Sequence, residues 1–345
     1  MLRISYCPYR LLFKRPFGTS HGERNGTDSL FIRIRFDGIT GFGEVTLPPY
    51  VQEDVVGSVR ALLSIAGQGV WDMHGLMASL DRLPELKERP ALRAGLHMAL
   101  VDASSRKIQE PIHQLVGAAN PKKSLMLMTL GICPLDEVPE RLRELPDTGA
   151  LKLKVGDDEG LARTQVAMAS SSARILLDGN QGLRSVQEAS ELVRVIGADR
   201  LLGFEQPFEA TDRERSASLA READCVIYAD EAIQGLADLE AEVGIFQGVN
   251  LKLMKCGGLD KAAAMARLAQ RQGKTIMLGS MSESSLGCTA MAHLSGCAEC
   301  LDLDGPWLLR NDPWAGLSLS QGHLVMPAGF GLGVEPVSEL PWIDA

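Results

Sequence analysis

The chain has 345 residues, of which 45% are hydrophobic and 23% are charged, and its formal net charge is −9. This length suffices for one barrel-sized domain and a smaller one. The acidic balance, without a run rich in lysine or arginine, disfavours nucleic acid and anionic membranes as partners, because both bind through a positive protein surface. We therefore expect a small-molecule substrate.

Residues 1–120 show no regular repeat and predict a separate α+β domain. FIRIRFDG and ITGFGEV predict a hairpin that turns at Asp37-Gly38, and RPALRAGLHMALVDASSRK predicts a helix. The amino terminus has scattered prolines and charges, and no later stretch has about 18 uninterrupted apolar residues. Seven cysteines are an odd number and indicate reduced thiols, so we expect a cytoplasmic protein.

Residues 121–310 alternate eight short apolar runs with longer amphipathic segments. The runs are SLMLMTLG (124–131), ALKLKVG (150–156), ARILLDGN (173–180), LLGFEQP (201–207), CVIYADE (225–231), VNLKLMK (249–255), TIMLGS (275–280) and ECLDLDG (299–305). Strands that alternate with helices predict an α/β fold with a parallel, TIM-type barrel. The segment 311–345 contains the glycines and prolines of a return connection, so we expect it to pack on the first domain.

Ionisable residues stand at the carboxyl ends of five successive runs: Lys154, Asp178, Glu205, Asp230 and Lys252, spaced by 22 to 27 residues. That end of a barrel carries the active site. Three carboxylates on adjacent strands repel one another unless a cation lies among them, and hard oxygen ligands suit Mg²⁺. Asp178, Glu205 and Asp230 are therefore the predicted metal ligands; the alternative is three unrelated acids in surface salt bridges.

Lysines occur on opposite sides of the predicted ring. Lys152 and Lys154 share one face of the second run, and Lys252 lies on the sixth run, four strands away. Each member of the Lys152–Lys154 pair should make the other harder to charge, which would let one act as a base. With a metal that stabilises an enediolate, one lysine can remove a proton α to a carboxylate while the other returns a proton from the opposite side. A Schiff-base aldolase would need one lysine and no metal ligands.

The eighth run places Asp302 and Asp304 on one face, opposite the centre of the three acids. A turn before Gly305-Pro306 is the alternative explanation for these two aspartates.

The motifs LKLKVG, LLDGNQG, FEQP, YADE and NLKLMKCGG, in this order, resemble the muconate-lactonizing subgroup of the enolase superfamily. GFGEV and PPY resemble its capping domain. The resemblance implies a (β/α)₇β barrel under a capping domain formed by the amino-terminal region and the carboxyl-terminal tail. It also implies Mg²⁺ on Asp178, Glu205 and Asp230, and an acid/base pair of Lys154 and Lys252 with Lys152 assisting.

The Asp-x-Asp of residues 302–304 resembles that of dipeptide epimerases, in which it binds the α-ammonium of the substrate. The best-known member type epimerises L-Ala-D/L-Glu, a murein-peptide fragment. The resemblance further implies a lid loop at 17–29, whose Arg24 is the candidate contact for a side-chain carboxylate, although a solvent-facing arginine is an open alternative. Thr129 and Ser280 resemble the remaining substrate contacts.

Several alternatives remain open on the sequence. Sibling reactions of the superfamily are cycloisomerisation, o-succinylbenzoate synthesis and N-acylamino acid racemisation, whose substrates lack an α-ammonium. A barrel that binds a metal or a peptide without turnover is a third possibility, but it would need neither lysine as a base. The side chains of the dipeptide are not determined, and a homo-oligomer is possible.

Overall fold

A computed structural model describes residues 2–345 and begins with an antiparallel sheet. Its strands are β1 (Arg3–Thr19), β2 (Gly22–Phe36) and β3 (Ile39–Leu47). β2 and β3 form the predicted hairpin, in which Asp37 and Gly38 both have positive φ, 50° and 78°. Two central residues with positive φ are typical of the tight turns that match the twist of paired strands. β1 and β2 form a longer hairpin whose far end reaches the barrel.

Three helices follow, and the third lies against this sheet. They are α1 (Val55–Gly67), α2 (Met73–Ser79) and α3 (Pro90–Ile108). A Cβ atom on Gly43 would lie 1.9 Å from the carbonyl oxygen of Gly95, so the glycines of GFGEV allow β3 to approach α3 closely. α3 is buried on nearly all sides because it is packed between the sheet and the barrel.

The barrel is a closed ring of eight parallel strands, the first of which is interrupted. The strands are β4 (Leu125–Met126) with β5 (Met128–Leu130), β6 (Ala150–Lys154), β7 (Arg174–Asp178), β8 (Leu201–Glu205), β9 (Ile227–Ala229), β10 (Gly248–Lys252), β11 (Thr275–Gly279) and β12 (Cys300–Asp302). β4 pairs with β12 and β5 pairs with β6, so the interrupted strand joins both ends of the sheet. All eight predicted strands are present, and the predicted barrel with a capping domain is confirmed.

Short and long helices precede, connect and follow these strands. They are α4 (Ile112–Leu115), α5 (Val138–Glu144), α6 (Gly160–Ser170), α7 (Val186–Ile196), α8 (Arg213–Glu222), α9 (Leu236–Ala241), α10 (Leu253–Cys256), α11 (Leu259–Arg271), α12 (Ser285–Ala292) and α13 (Gly305–Leu308). In the part of the chain that the structure describes, none of the helices combines the length and the apolar character needed to cross a membrane.

A separate apolar cluster fills the barrel interior and determines which residues lie above it. Its members are Leu127, Ala150, Leu176, Tyr228, Met277 and Cys300. Four of them precede Lys152, Asp178, Asp230 and Asp302 by two residues, and residues two apart in a strand point to the same side. The inward-facing strand ends above this apolar layer are therefore the charged residues that the sequence singled out.

The last residues leave the barrel and contact the first domain. They form the short strands β13 (Trp314–Ala315), β14 (Ser318–Ser320), β15 (His323–Val325), β16 (Glu335–Pro336) and β17 (Ile343–Asp344). β17 pairs with β1, and the ring of Trp314 packs on those of Phe31 and Phe42 with centroids 5.4 and 4.9 Å apart.

Candidate active site

A cavity of about 520 Å³ opens at the carboxyl ends of the barrel strands, beneath the β1–β2 hairpin. Nine of the predicted site residues line it: Arg24, Thr129, Lys152, Lys154, Asp230, Lys252, Ser280, Asp302 and Asp304. The other two, Asp178 and Glu205, are buried beside it and contact Lys152. The structure thus brings all eleven predicted residues to one site.

The ammonium group of Lys152 lies among three carboxylates. Its Nζ atom is 2.9 Å from Asp178 Oδ2, 2.6 Å from Glu205 Oε2 and 2.6 Å from Asp302 Oδ2. The strand number of Asp302 predicts a position across the ring from the acids, but the long side chain of Lys152 spans the barrel interior and contacts both sides. Asp302 therefore shares an ion-pair partner, Lys152, with the predicted metal ligands Asp178 and Glu205.

These contacts reverse one expectation about the lysines. The prediction that Lys152 and Lys154 make each other hard to charge is wrong for Lys152. Burial by itself lowers the pKa of Lys152, but the charges of Asp178, Asp302 and Glu205 outweigh it and raise the pKa well above the ordinary value. Lys152 is therefore a fixed positive charge rather than a base in this arrangement.

Lys154 and Lys252 occupy matching positions on β6 and β10, four strands apart in the ring. Lys154 Nζ donates to Asp178 Oδ2 at 2.6 Å and to Asn180 Oδ1 at 2.8 Å. Lys252 Nζ donates to Asp230 Oδ2 at 2.7 Å. Lys154 is therefore held by a carboxylate at the end of the following strand and Lys252 by one at the end of the preceding strand, and the two lysines reach the cavity from opposite sides.

Lys255, which the sequence analysis missed, holds the other oxygen of Asp230. Its Nζ atom donates to Asp230 Oδ1 at 2.6 Å and to the backbone carbonyls of Asp230 and Ile233 at 2.8 and 3.2 Å. The signal in the sequence is the spacing Lys252-x-x-Lys255, which places two lysines on one side where a strand passes into a helix. Burial raises the pKa of Asp230, but Lys252 and Lys255 outweigh this and hold it well below the ordinary value.

Asp178, Glu205 and Asp230 supply the carboxylate oxygens that bind divalent cations, but in this structure the three side chains do not converge on one point. Within residues 2–345, no three aspartate, glutamate, histidine or cysteine side chains meet at a position that could hold a metal ion. The reason is that Lys152 lies between Asp178 and Glu205, whereas Asp230 turns its oxygens to Lys252 and Lys255.

Glu205 shows most directly that this site needs positive charge. Its side chain is fully buried, and burial together with the charges of Asp178 and Asp230 raises its pKa to about 7. Glu205 Oε2 is buried and lies 2.6 Å from Lys152 Nζ, so the ammonium group supplies positive charge to this oxygen. Buried hard oxygens of this kind suit Mg²⁺ with additional water ligands.

Asp302 and Asp304 share the wall of the cavity with Thr129. The backbone N–H of Thr129 donates to Asp304 Oδ2 at 2.7 Å, and its hydroxyl donates to Asp302 Oδ1 at 3.4 Å. Burial and the charge of Asp302 raise the pKa of Asp304 to about 6. Two neighbouring carboxylates form a strong site for a positively charged group. Ser280, on the other side of β12, also lines the cavity.

Arg24 lies in the β1–β2 hairpin and faces the cavity. Most of the predicted lid loop at 17–29 is strand: β1 and β2 pair as far as Thr19 and Gly22, with a register shift between Leu12 and Phe17, and only Ser20 and His21 form the turn. The guanidinium group of Arg24 donates to Thr27 Oγ1 at 2.9 Å and lies 5.5 Å from the ring centroids of both Phe13 and Tyr50. Arg24 is therefore partly buried against aromatic rings instead of turning to solvent.

The cavity can hold a small anion and a small cation at once. Lys152 and the neighbouring acids lie at its floor, the Asp302–Asp304 pair lies on one wall, and Arg24 lies at the hairpin. Lys154 and Lys252 approach the space between from opposite sides. A reacting carbon between the two amines can lose a proton to one and gain a proton from the other.

Two family models match the chain. "Mandelate racemase / muconate lactonizing enzyme, N-terminal domain" matches residues 7–117, and "Enolase C-terminal domain-like" matches residues 137–340. The L-Ala-D/L-Glu epimerase of Bacteroides thetaiotaomicron is 28% identical and the match covers 96% of this chain and 88% of that protein. A hydrophobic dipeptide epimerase of a Flavobacteria bacterium is 30% identical, with 96% and 97% covered.

Solved structures give the same result. The dipeptide epimerase of Methylococcus capsulatus, in complex with Mg and the dipeptide L-Arg-D-Lys, superimposes with a TM-score of 0.84. It is 28% identical to this chain, and the match covers 97% of this chain and 99% of that one. The similarity therefore extends over the capping domain and the barrel together.

Proposed function

The chain belongs to the mandelate racemase/muconate lactonizing enzyme family of the enolase superfamily, and from this we propose that it is a magnesium-dependent dipeptide epimerase. Relatives along the whole chain are epimerases that act on dipeptides. The observation that carries the proposal is the pair of buried amines, Lys154 and Lys252, on opposite sides of one cavity that also contains the Asp302–Asp304 pair.

The two lysines are proposed to transfer the proton. One of Lys154 and Lys252 accepts the α-proton of the carboxyl-terminal residue, and the other donates a proton to the opposite face of the same carbon, which inverts the configuration. The acceptor must be neutral and the donor charged at the start of each turnover, and the two roles exchange when the other epimer reacts. Lys152 stays charged among its carboxylates and supports the negative charge that develops.

Asp178, Glu205 and Asp230 are proposed to hold Mg²⁺, as their buried oxygens fit that ion. When bound, the ion supplies positive charge that stabilises the substrate carboxylate as its neighbouring carbon loses a proton. In the relative from Methylococcus capsulatus, Mg accompanies a bound dipeptide.

Asp302, Asp304 and Arg24 are proposed to select the substrate. The aspartate pair binds the free α-ammonium, with Thr129 fixing both carboxylates. Arg24 meets an anionic side chain, which favours L-Ala-D/L-Glu over apolar dipeptides. Ser280 contacts the substrate on the neighbouring strand. The seven free cysteines suit a reducing compartment, so we also propose a cytoplasmic enzyme.

Incubation with L-Ala-L-Glu and Mg²⁺ in D₂O tests the function. We expect L-Ala-D-Glu to form, with deuterium at the α-carbon of glutamate, and we expect EDTA to stop both processes. A parallel library of apolar and basic dipeptides separates a different side-chain preference from a different reaction. Absence of α-proton exchange across the library, together with turnover of an o-succinylbenzoate precursor or an N-acylamino acid, would assign a sibling reaction instead.

A further inference from the structure

The tip of the β1–β2 hairpin docks onto the ends of three neighbouring barrel strands. After β5, the backbone N–H of Ile132 donates to the carbonyl of Gly18 at 2.9 Å. After β6, Gly156 leaves room for Ser20, because a Cβ atom on Gly156 would lie 2.8 Å from Ser20 Cβ. After β7, the hydroxyl of Ser20 donates to the backbone carbonyl of Asn180 at 2.5 Å.

Asn180 lies in a strained but well-fixed loop. Asn180 and Gln181 both have positive φ, 39° and 66°, a conformation that residues other than glycine seldom adopt. The N–H of Asn180 donates to Asp178 Oδ1 at 2.9 Å, and the N–H of Gln181 donates to the carbonyl of Gln206 at 2.8 Å. Consecutive residues in this conformation persist only where surrounding contacts determine them, and they are concentrated at functional sites.

The side chain of Asn180 connects this loop to one of the two amines. Its Oδ1 atom accepts from Lys154 Nζ at 2.8 Å. One residue therefore takes a hydrogen bond from the hairpin through its backbone and a hydrogen bond from Lys154 through its side chain. Lys252 is held by Asp230 instead.

We propose that Ser20 and Asn180 are positioning residues that couple the docked hairpin to Lys154; the inference rests on the epimerase function proposed above. With the tip in place, Ser20 fixes the carbonyl of Asn180, and the amide of Asn180 fixes the direction from which Lys154 approaches the α-carbon. Loss of the Asn180 amide leaves Lys154 with Asp178 alone, and loss of the Ser20 contact releases the loop that holds this amide. In either case the amine of Lys154 can turn away from the substrate. The consequence is one-sided, because the contact acts on one of the two acid/base groups.

The one-sided consequence makes the test specific. Purified full-length variants Ser20→Ala and Asn180→Gly are compared with the wild type in D₂O, with Mg²⁺ and each epimer of the dipeptide separately. Glycine at position 180 removes the amide but tolerates positive φ. Ser170→Ala is the matched control, because Ser170 lies on α6 outside the cavity and its hydroxyl donates to the carbonyl of Val166 at 2.8 Å.

We expect Ser20→Ala to lower the rate of inversion by about two- to tenfold, the effect of one net hydrogen bond, with KM nearly unchanged. Exchange of the α-proton that faces Lys252 should persist without inversion, so the ratio of exchange to inversion rises for one epimer only. Asn180→Gly should give the same asymmetry more strongly. The double variant with Ser20→Ala and Asn180→Gly should have the same ratio of exchange to inversion as Asn180→Gly alone. Ser20→Thr, which keeps the hydroxyl, should restore the wild-type ratio.

An equal rise in the ratio of exchange to inversion for both epimers, or independent effects of the two variants on that ratio, would overturn the coupling. If the wild type exchanges no α-proton of any dipeptide, the proposed function fails instead. Amide hydrogen exchange of the segment 17–24, measured without substrate, then tests the contact of Ser20 with Asn180 independently of catalysis. Faster exchange in Ser20→Ala supports the docking by Ser20, and exchange equal to that of the wild type refutes it.

Discussion

Replacement of Asp302 by asparagine tests whether this aspartate binds the α-ammonium of the substrate. Asp302 is 6% exposed, and its partner Lys152 keeps Asp178 at 2.9 Å and Glu205 at 2.6 Å after the substitution. The variant therefore does not leave a buried ammonium unpaired, which would cost about 3 to 5 kcal/mol, and it should fold. The substrate, in contrast, loses one of its two carboxylate partners.

A hydrogen bond to a charged group contributes about 1.5 to 3 kcal/mol, which corresponds to roughly a 10- to 150-fold rise in KM. We expect kcat to change much less, because the ammonium lies away from the reacting carbon. The assay is epimerisation of L-Ala-L-Glu followed by polarimetry or chiral chromatography. The exposed residue Asp199, in the loop before β8, supplies the control Asp199→Asn, for which wild-type kinetics are expected.

An N-acetylated dipeptide separates the two partners of Asp302. Acetylation removes the α-ammonium, so Asp302→Asn should cause no further loss with this substrate. If the variant instead lowers kcat equally for the free and the acetylated dipeptide, Asp302 acts through Lys152, and the assignment of the ammonium site is refuted.

The remaining predictions concern the amines, the hairpin arginine and a buried acid. Lys154→Ala and Lys252→Ala should each abolish inversion, yet each should retain α-proton exchange in D₂O with one epimer, and the retained epimer should differ between them; retention of the same epimer would contradict opposite positions. Arg24→Leu should raise KM for L-Ala-L-Glu about tenfold or more and leave that of an apolar dipeptide unchanged, because only the glutamate side chain loses a charged partner; equal effects on both substrates would exclude Arg24 from side-chain recognition. Burial, together with the charge of Glu44, raises the pKa of Glu283 from 4.5 to about 8. The folded state therefore binds this proton more tightly than the unfolded state, and the stabilisation is complete below pH 4.5 and lost as the pH rises to about 8, at about 1.4 kcal/mol per pH unit. Glu283→Gln should flatten this fall in thermal unfolding scans, and a parallel pH profile would show that another group is responsible.

The capping sheet illustrates what local pattern can and cannot determine. The Asp37-Gly38 hairpin follows from two neighbouring strands and a turn whose residues tolerate positive φ, so the sequence predicts it. The segment 17–29 has glycines and polar residues that suggest a mobile loop, but pairing with β1 makes it part of a hairpin. Two of its glycines serve close contacts: a Cβ atom on Gly18 would lie 2.4 Å from the carbonyl oxygen of Ile132, and one on Gly26 would lie 2.2 Å from that of Leu11.

The sequence by itself determined the barrel and the position of each charged strand end around the ring. Strand–helix repeats and alternation along a strand are local properties, so Lys154, Asp178, Glu205, Asp230 and Lys252 can be placed around a ring without coordinates. The order of the strands then fixes which residues lie across from one another.

Only the tertiary structure decided how these residues pair. A strand position gives the direction of a side chain but not where a long lysine ends, so the contacts of Lys152 with Asp302 and of Lys255 with Asp230 could not be read from spacing. The contact of Ser20 with Asn180 joins residues 160 positions apart and depends on how the two domains dock. Ion pairs and hydrogen bonds of this kind need atoms within about 3 Å, and that precision arises from packing of the whole chain.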